Sequence, residues 1–484
     1  MRITNEPGNR SPVKERVRGK TNSRKEAGMA GLGQDAGKGS QRGGLGRVVS
    51  AALIGATIEW YDFFLYGVVA GIVLNKLYFP VSDPLVSTLL AYATFAVGFV
   101  ARPLGGVVFG HFGDKVGRKS MLVITLMLMG VATFLIGLVP TYAQIGVAAP
   151  ILLLFLRVIQ GIGLGGEWGG AVLMAFEYAP PEKRGLYASI PQIGLALGLC
   201  LASGVVATLS YTLTDEQFLS WGWRLAFLLS VILVAVGAYI RLNVMETPEF
   251  AKVKEQNREA AIPFVSMIKS YPKNVLAGMG ARMIDGVFFN IFAVFSIGYL
   301  TQTLKVPRTE ALLGVCAAAL VMCATIPFFG ALSDRMGRTR VYAWGSVITG
   351  LSAFPAFWIF LAYPGNTSAI YMAIILPFGI LYASVYGPEA ALFSELFPAH
   401  VRYTGISFVY QFSGIFASGL TPIIATALIQ YSGADKPWLI CGYCTLAGLI
   451  SAASAIWIGH AGQREELAEA SRVGHAAVER TQPA

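Results

Sequence analysis

Twelve apolar runs, each about 20 residues long, divide almost the whole chain, and an α-helix of that length crosses a hydrocarbon core of about 30 Å. Their approximate limits are 50–74, 87–110, 120–140, 150–177, 185–209, 221–241, 274–300, 309–331, 340–362, 369–393, 403–430 and 437–459. The runs are continuous rather than alternating, which excludes a membrane β-barrel. With 55% hydrophobic and 13% charged residues, the chain also cannot cover a soluble surface. The sequence predicts an all-α integral membrane protein.

Basic residues between the runs predict the orientation. The loops that follow even-numbered runs contain fifteen Lys and Arg residues, whereas the opposite loops contain four. Cytoplasmic loops of membrane proteins carry the excess of basic residues. We therefore expect a multi-pass protein of the plasma or inner membrane with both termini in the cytoplasm.

The first 47 residues hold much of the net charge, with 11 Lys and Arg against four acidic residues. This segment is rich in Gly and Ser and lacks apolar periodicity, so it is predicted to be a disordered basic tail. A solvated tail near a lipid bilayer explains the charge, and no nucleic-acid partner is expected.

An internal repeat divides the rest of the chain. GHFGDKVGRK at 110–119 recurs as GALSDRMGRT at 330–339, and EYAPPEKR at 177–184 recurs as ELFPAHVR at 395–402. Parallel repeats of this kind are typical of transporters with two similar halves. We predict an amino-terminal six-helix half (48–242), a cytoplasmic linker (243–272), a carboxyl-terminal six-helix half (273–460) and a short cytoplasmic tail (461–484).

The repeated motifs place glycines and opposite charges at the cytoplasmic ends of the helices. Glycines allow close helix approach and tight turns, while the acidic and basic residues can form an ion-pair network. Such a network can hold the halves together in one conformation and release them in another. The predicted cytoplasmic gate consists of Gly110, Asp114, Gly117, Arg118, Glu177 and Arg184, with Gly330, Asp334, Gly337, Arg338, Glu395 and Arg402 in the second half.

These paired loops resemble the signature of the major facilitator superfamily over residues 45 to 460. GATIEWYDF at 55–63, RPLGG at 102–106 and RVIQGIGLGGEWGG at 157–170 further resemble its metabolite:proton symporter family, as does ETPEF at 246–250. Members of that family carry shikimate, 2-oxoglutarate, citrate, and proline or betaine. The resemblance implies a secondary active transporter that takes up a solute with protons by alternating access.

Charged residues inside the runs are costly and point to function. At about 1.5 Å per residue, Glu59, Asp62, Arg102, Glu167, Arg282, Asp285 and Glu389 lie in one layer near the bilayer centre. Arg157 is expected at the outer interface instead. Low dielectric and neighbouring like charge both favour a protonated carboxyl, as proton coupling requires. The predicted proton-coupling residues are Asp62, Glu59, Glu167 and Asp285.

The two arginines of this layer, one in each half, predict a small organic anion held between Arg102 and Arg282, because a guanidinium binds carboxylate in bidentate fashion. Further expected substrate contacts are Tyr61, Trp168, Gln192, Tyr386, Glu389 and Gln411. A zwitterionic solute such as proline or betaine remains the alternative, and drug or metabolite efflux is less favoured. We expect a monomer that works with the solute and protons alone.

Enzyme activity, nucleotide binding and a receptor or sensor role are not favoured. The apolar runs contain no nucleophile, metal cluster or cofactor motif near a membrane face, so we predict no enzyme activity, catalytic residue, metal or cofactor. Gly161-x-Gly163-x-x-Gly166 matches a dinucleotide fingerprint by letter but lies in an apolar run, where it is better interpreted as a helix-packing surface. The five cysteines also lie in apolar runs, and we expect no disulfide.

Overall fold

The computed structural model describes residues 49–80, 84–116, 118–165, 168–243, 263–397, 402–433 and 435–479. Within these ranges, side chains are described except at 84, 107, 110–122, 174, 240–243, 263–266, 403 and 460–479. The described residues from Val49 onward belong to one compact unit. Regular structure in them is entirely helical.

Six long helices form the amino-terminal half. They are α1 (Val49–Leu77), α2 (Pro84–Val116), α3 (Arg118–Leu138), α4 (Ala148–Gly165, continued by Trp168–Tyr178), α5 (Pro181–Thr212) and α6 (Asp215–Tyr239). In helix α1, 94% of the apolar window is buried inside the protein, compared with 61% in α2 and 33% in α6.

Six more helices form the carboxyl-terminal half. They are α7 (Pro272–Thr303), α8 (Arg308–Met336), α9 (Arg338–Ala362), α10 (Thr367–Ser394), α11 (Thr404–Ser432) and α12 (Trp438–Glu479). Helix α7 occupies the place of α1 in the repeat and is equally enclosed at 94%. Two central helices facing each other across the halves are the expected result of a parallel repeat.

The predicted all-α membrane fold is confirmed. In the described part of the chain, eleven helices are long and apolar enough to cross a membrane, and Val123–Leu138 of α3 is a shorter apolar helix where the third span was predicted. The tail 1–47 lies outside the described residues, as do 244–262 of the predicted linker. Its last part forms the helix Pro263–Ser270, and the backbone of α12 stays helical to Glu479.

Small residues bring α2 and α4 together. A Cβ atom added to Gly161 would lie 2.2 Å from the carbonyl oxygen of Gly98, and one added to Gly165 would lie 2.0 Å from that of Arg102. Gly161 therefore belongs to a helix-packing surface, as predicted, because only glycine permits such a close backbone approach. This contact fixes Arg102 against α4.

Helix α5 is interrupted at Pro191. The helix Arg184–Ser189 ends there, and a new helix begins at Ile193. Proline lacks the N–H that would continue the ladder and clashes with the preceding turn. The interruption leaves Gln192 at a break in the helix, from which its side chain reaches the opposite half.

Candidate functional site

A buried charge cluster lies at the centre of the carboxyl-terminal half. Arg282 forms an ion pair with Asp285, one turn further along α7, and its Nε lies 3.6 Å from Oε1 of Glu389 in α10. Tyr382 donates a hydrogen bond to the Asp285 carboxylate. All three charged side chains are at most 3% exposed. Arg282 is therefore compensated by two carboxylates, as burial of a charge requires.

The guanidinium of Arg282 also packs on an aromatic ring. Its Cζ lies 4.0 Å from the ring centroid of Tyr410 in α11, which in turn stacks on Trp168 of the amino-terminal half, with centroids 3.6 Å apart. Guanidinium planes stack favourably on aromatic faces. These two stacking contacts connect the Arg282 cluster to the amino-terminal half.

Arg102 is held differently. Its Cζ lies 4.1 Å from the ring centroid of Phe63 and 4.0 Å from that of Phe99, with Trp60 at 5.7 Å. The side chain is 1% exposed, and Nε and Nη2 have no hydrogen-bond partner among the described residues. Within that part of the chain, no carboxylate forms an ion pair with it. Arg102 is a buried cation that packs against aromatic rings.

Arg157 shares the ring of Phe63 with Arg102, and its Cζ also lies 4.1 Å from that centroid. It is fully buried and donates to Gln160, whose amide nitrogen bonds the Asp62 carbonyl oxygen at 3.0 Å. The predicted position at the outer interface is wrong. Arg157 is a third buried cation beside the central layer, because α4 packs against α1 and α2.

Asp62 is completely buried next to this arrangement. Neither carboxylate oxygen has a hydrogen-bond partner within the described part of the chain. A charged carboxylate in such a place is costly, and a neutral carboxylic acid costs much less.

Two adjoining cavities separate the halves, and Trp60, Arg102 and Tyr410 line both of them. Glu59 and Trp168 line the larger one, as do Gln192, Tyr386 and Gln411. Arg282, Asp285 and Asn290 line the smaller one. The structure thus brings Arg102 and Arg282 to one central space, together with four of the six further predicted contact residues.

Two predicted substrate contacts, Tyr61 and Glu389, line neither cavity. The hydroxyl of Tyr61 donates to the Ala226 carbonyl in α6 at 2.7 Å, so its role as a substrate contact stays a prediction. Glu389 lies 3.6 Å from Nε of Arg282. Glu167 lies outside the described residues.

Amide side chains connect the halves beside the larger cavity. Gln192 donates to the Tyr386 carbonyl, and Gln411 donates to the Gly165 carbonyl at 3.2 Å. The amide oxygens of both glutamines have no hydrogen-bond partner among the described residues. Hydrogen bonds that amide side chains form between helices stabilise packing in membranes.

The predicted gate residues of the second half lie at one end of the bundle, which we call the Asp334 end. The Asp334 carboxylate accepts hydrogen bonds from the backbone N–H groups of Gly185 at 2.8 Å and Leu186 at 3.0 Å, both in the other half. Asp334 also pairs with Arg338 at 3.4 Å, and Arg338 forms an ion pair with Glu395. Gly110, Asp114, Gly117 and Arg118 have no described side chains.

A second contact between the halves lies at the Asp334 end. Glu177 lies 3.7 Å from Arg402 of the opposite half. The ring of Phe176 is approached by Arg184, Arg338 and Arg402, with Cζ distances of 4.8, 5.8 and 5.8 Å. Sequence reasoning missed Phe176 and Gly185, because neither carries a charge or lies inside a recognised motif.

The halves also meet at the opposite end, which we call the Arg308 end. Arg308 forms an ion pair with Asp215, and Gln302 donates to the Gly71 carbonyl. Between that end and the centre, Cys200 and Cys316 face each other with their sulfur atoms 3.0 Å apart. All five cysteines are free thiols. The two halves therefore touch at both ends around the central cavities.

The protein is helical and has two halves that are in contact at either end. Buried charges surround the central cavity between them. These features define the class of membrane transporters. Family models match residues 48–277 as "Sugar (and other) transporter" and residues 275–480 as "Major Facilitator Superfamily". The chain belongs to the major facilitator superfamily, and its relatives are consistent with the metabolite symporters of that superfamily.

Several curated relatives support this membership. The shikimate transporter of Escherichia coli K12 is 42% identical, over 85% of this chain and 93% of the relative. The proline/betaine transporter of Salmonella typhimurium is 35% identical, over 81% and 79%. The xylose transporter XylE of E. coli has the same fold, with a TM-score of 0.65, 16% identity and coverage of 86% and 97%. The protein is a transporter of small molecules and not an enzyme.

Proposed function

We propose that this protein takes up a small organic anion together with protons across the plasma or inner membrane. The observation that carries the proposal is the state of Arg102, a buried cation that lines both central cavities while Nε and Nη2 lack hydrogen-bond partners among the described residues. A carboxylate is the ligand that a guanidinium binds best.

The proposed cycle uses the contacts at the two ends in turn. With the solute bound, the halves close around the cavities. Contacts at the Asp334 end then separate while those at the Arg308 end hold, and the solute leaves on the cytoplasmic side. The proposed orientation, with both termini and the Asp334 end in the cytoplasm, rests on the basic residues of the loops.

Asp62 is the proposed proton-coupling residue. Its carboxyl group is buried, and the next residue of α1 is Phe63, whose ring both Arg102 and Arg157 contact. A bound anion reduces the positive charge around that ring, which lowers the cost of protonating Asp62 and so couples the two ligands. Glu59 and Asp285 line the cavities and are the further candidates, with Glu167.

A zwitterionic solute is the second candidate, since one relative is a proline/betaine transporter. Quaternary ammonium groups are recognised by aromatic faces. Two rings that line the cavities already contact guanidinium groups: Phe99 packs against Arg102, and Tyr410 packs against Arg282 and stacks on Trp168. Because these aromatic rings already contact other side chains, an organic anion is favoured over a zwitterionic solute.

Uptake into proteoliposomes under an imposed pH gradient tests the proposal. A panel of labelled shikimate, 2-oxoglutarate, citrate, proline and glycine betaine should show accumulation of at least one carboxylate without an amino or ammonium group, and a protonophore should abolish it. Accumulation of proline or betaine alone would favour the second candidate. Accumulation that follows a sodium gradient instead would refute proton coupling.

A further inference from the structure

We propose that Phe176 stabilises the closed Asp334 end, because its aromatic ring attracts arginine side chains from both halves. Phe176 lines neither central cavity, so it acts as a positioning residue that fixes three guanidinium groups when the halves meet. This inference concerns the closed state of the transporter and depends on neither the solute nor the coupling ion.

The ring of Phe176 lies at the interface between the halves. Phe176 belongs to the second segment of α4 and is 1% exposed. It packs in an apolar cluster with Val172, with Ala188 of α5, and with Ala390 and Ala391 of α10. Helix α10 belongs to the opposite half. Since this site is enclosed and apolar, electrostatic attraction is stronger there than in water.

Three guanidinium groups approach this ring. Arg184, in the same half as Phe176, is the nearest of the three, with its Cζ 4.8 Å from the ring centroid. Arg338 and Arg402 belong to the opposite half, and the Cζ of each lies 5.8 Å from the centroid. A cation within about 6 Å of an aromatic centroid is attracted by the negative face of the ring. The ring therefore attracts cations of both halves while the halves are in contact.

Arg184 depends most on this attraction. Arg338 and Arg402 have carboxylate partners. Arg184 forms no ion pair with a carboxylate of the described residues, and its buried Nε has no hydrogen-bond partner among them. Closure brings the like charges of the three arginines to one place, and their repulsion opposes it. An aromatic ring between them compensates for part of that repulsion.

Fluorine atoms on the ring separate this attraction from simple packing. Each fluorine withdraws electron density from the face of the ring and weakens its attraction for a cation, while the size of the side chain hardly changes. Phenylalanine analogues with one, two or three ring fluorines can be incorporated at position 176 of the full-length protein by suppression of a stop codon. The same series at position 328 is the matched control, since Phe328 is an exposed ring that packs on Phe329.

Amide hydrogen exchange measures the closed end without a label. The N–H groups of Gly185 and Leu186 donate to Asp334 across the halves, so they are protected while the Asp334 end is closed. We expect their exchange to become faster with each fluorine at position 176, by about tenfold for the ring with three fluorines. Fluorination at position 328 should leave this exchange unchanged.

A conventional substitution completes the test. Phe176→Leu keeps an apolar side chain but removes the aromatic face, and it should accelerate the exchange at least as much as three fluorines do. Unchanged exchange across the fluorinated series would overturn the inference, even with faster exchange in Phe176→Leu, because the ring would then act by packing alone. An equal acceleration in the series at position 328 would overturn it too. Either result would leave the proposed function intact.

Discussion

The carboxylate of Asp334, in the carboxyl-terminal half, accepts a hydrogen bond of 2.8 Å from the backbone N–H of Gly185 in the amino-terminal half. The neighbouring N–H of Leu186 donates to the same group at 3.0 Å. These groups belong to the first turn of a helix, where backbone N–H groups lack partners within the helix and a negative charge is favoured. An acidic residue of the repeated motif thus connects the two halves directly.

Replacing Asp334 by Asn should slow transport and leave solute affinity nearly unchanged. The amide keeps one acceptor oxygen but loses the charge that favours the helix end, so the closed Asp334 end is less stable. We expect the rate of uptake to fall about tenfold, which corresponds to the loss of one charge-assisted hydrogen bond. Uptake rates and equilibrium binding should be measured side by side. Asp435→Asn, in an exposed loop, is the control, and loss of binding in the folded Asp334 variant would contradict the assignment.

Adding a methyl group at Gly185 should open the Asp334 end. A Cβ atom there would lie 2.5 Å from the Gly330 carbonyl oxygen and 2.7 Å from Oδ1 of Asp334. Backbone atoms cannot yield to such contacts, so the two halves must separate. Gly185→Ala should raise the thiol labelling rate of a single cysteine placed in the larger cavity. Gly365→Ala, where the added atom meets nothing within 4 Å, should leave the rate unchanged.

Replacing Asp62 by Asn should abolish uphill accumulation before it abolishes exchange. A neutral amide cannot bind and release a proton, while its size and burial stay close to those of the acid. Counterflow in vesicles should persist, whereas accumulation driven by a pH gradient should disappear. Normal accumulation in this variant would transfer the coupling role to Glu59, Glu167 or Asp285.

The two central arginines should respond differently to replacement by lysine. Arg102→Lys keeps the charge but loses the planar group that packs on Phe63 and Phe99 and binds a carboxylate in bidentate fashion, so solute binding should fall at least about tenfold. Arg282→Lys breaks the cluster with Asp285 and Glu389, and we expect it to lower thermal stability as well as uptake. Arg340→Lys, at an exposed position, is the control. Unchanged binding in Arg102→Lys would argue that Arg102 has only a packing role.

Oxidative cross-linking of Cys200 with Cys316 should arrest transport. The two thiols belong to opposite halves and lie 3.0 Å apart near the Arg308 end. Copper phenanthroline with oxygen removes two electrons and two protons from the pair, and the new bond prevents the halves from separating there. Activity should return on reduction with dithiothreitol. Cys316→Ser should resist inhibition, whereas Cys323→Ser should behave as the wild type.

The sequence by itself determined the class and the architecture of this protein. Apolar runs of about 20 residues leave a chain few options, because backbone groups in lipid must be satisfied within each segment. The repeated motifs at 110–119 and 330–339 then indicated two halves, and the charged positions Arg102 and Arg282 were found inside the apolar runs. These inferences depend on local length, charge and periodicity, which a sequence displays directly.

The tertiary structure alone decided which charges meet. Helical periodicity gives the depth of a side chain and the face it shares, but not the neighbouring helix it packs against. Arg157 was therefore placed at the outer interface, whereas the packing of α4 behind α1 and α2 puts it against Phe63. In the same way, Tyr61 contacts Ala226 rather than the cavity, and Asp334 reaches Gly185 in the opposite half. Partners distant in sequence are set by how helices cross, and small residues such as Gly161 and Gly185 determine those crossings.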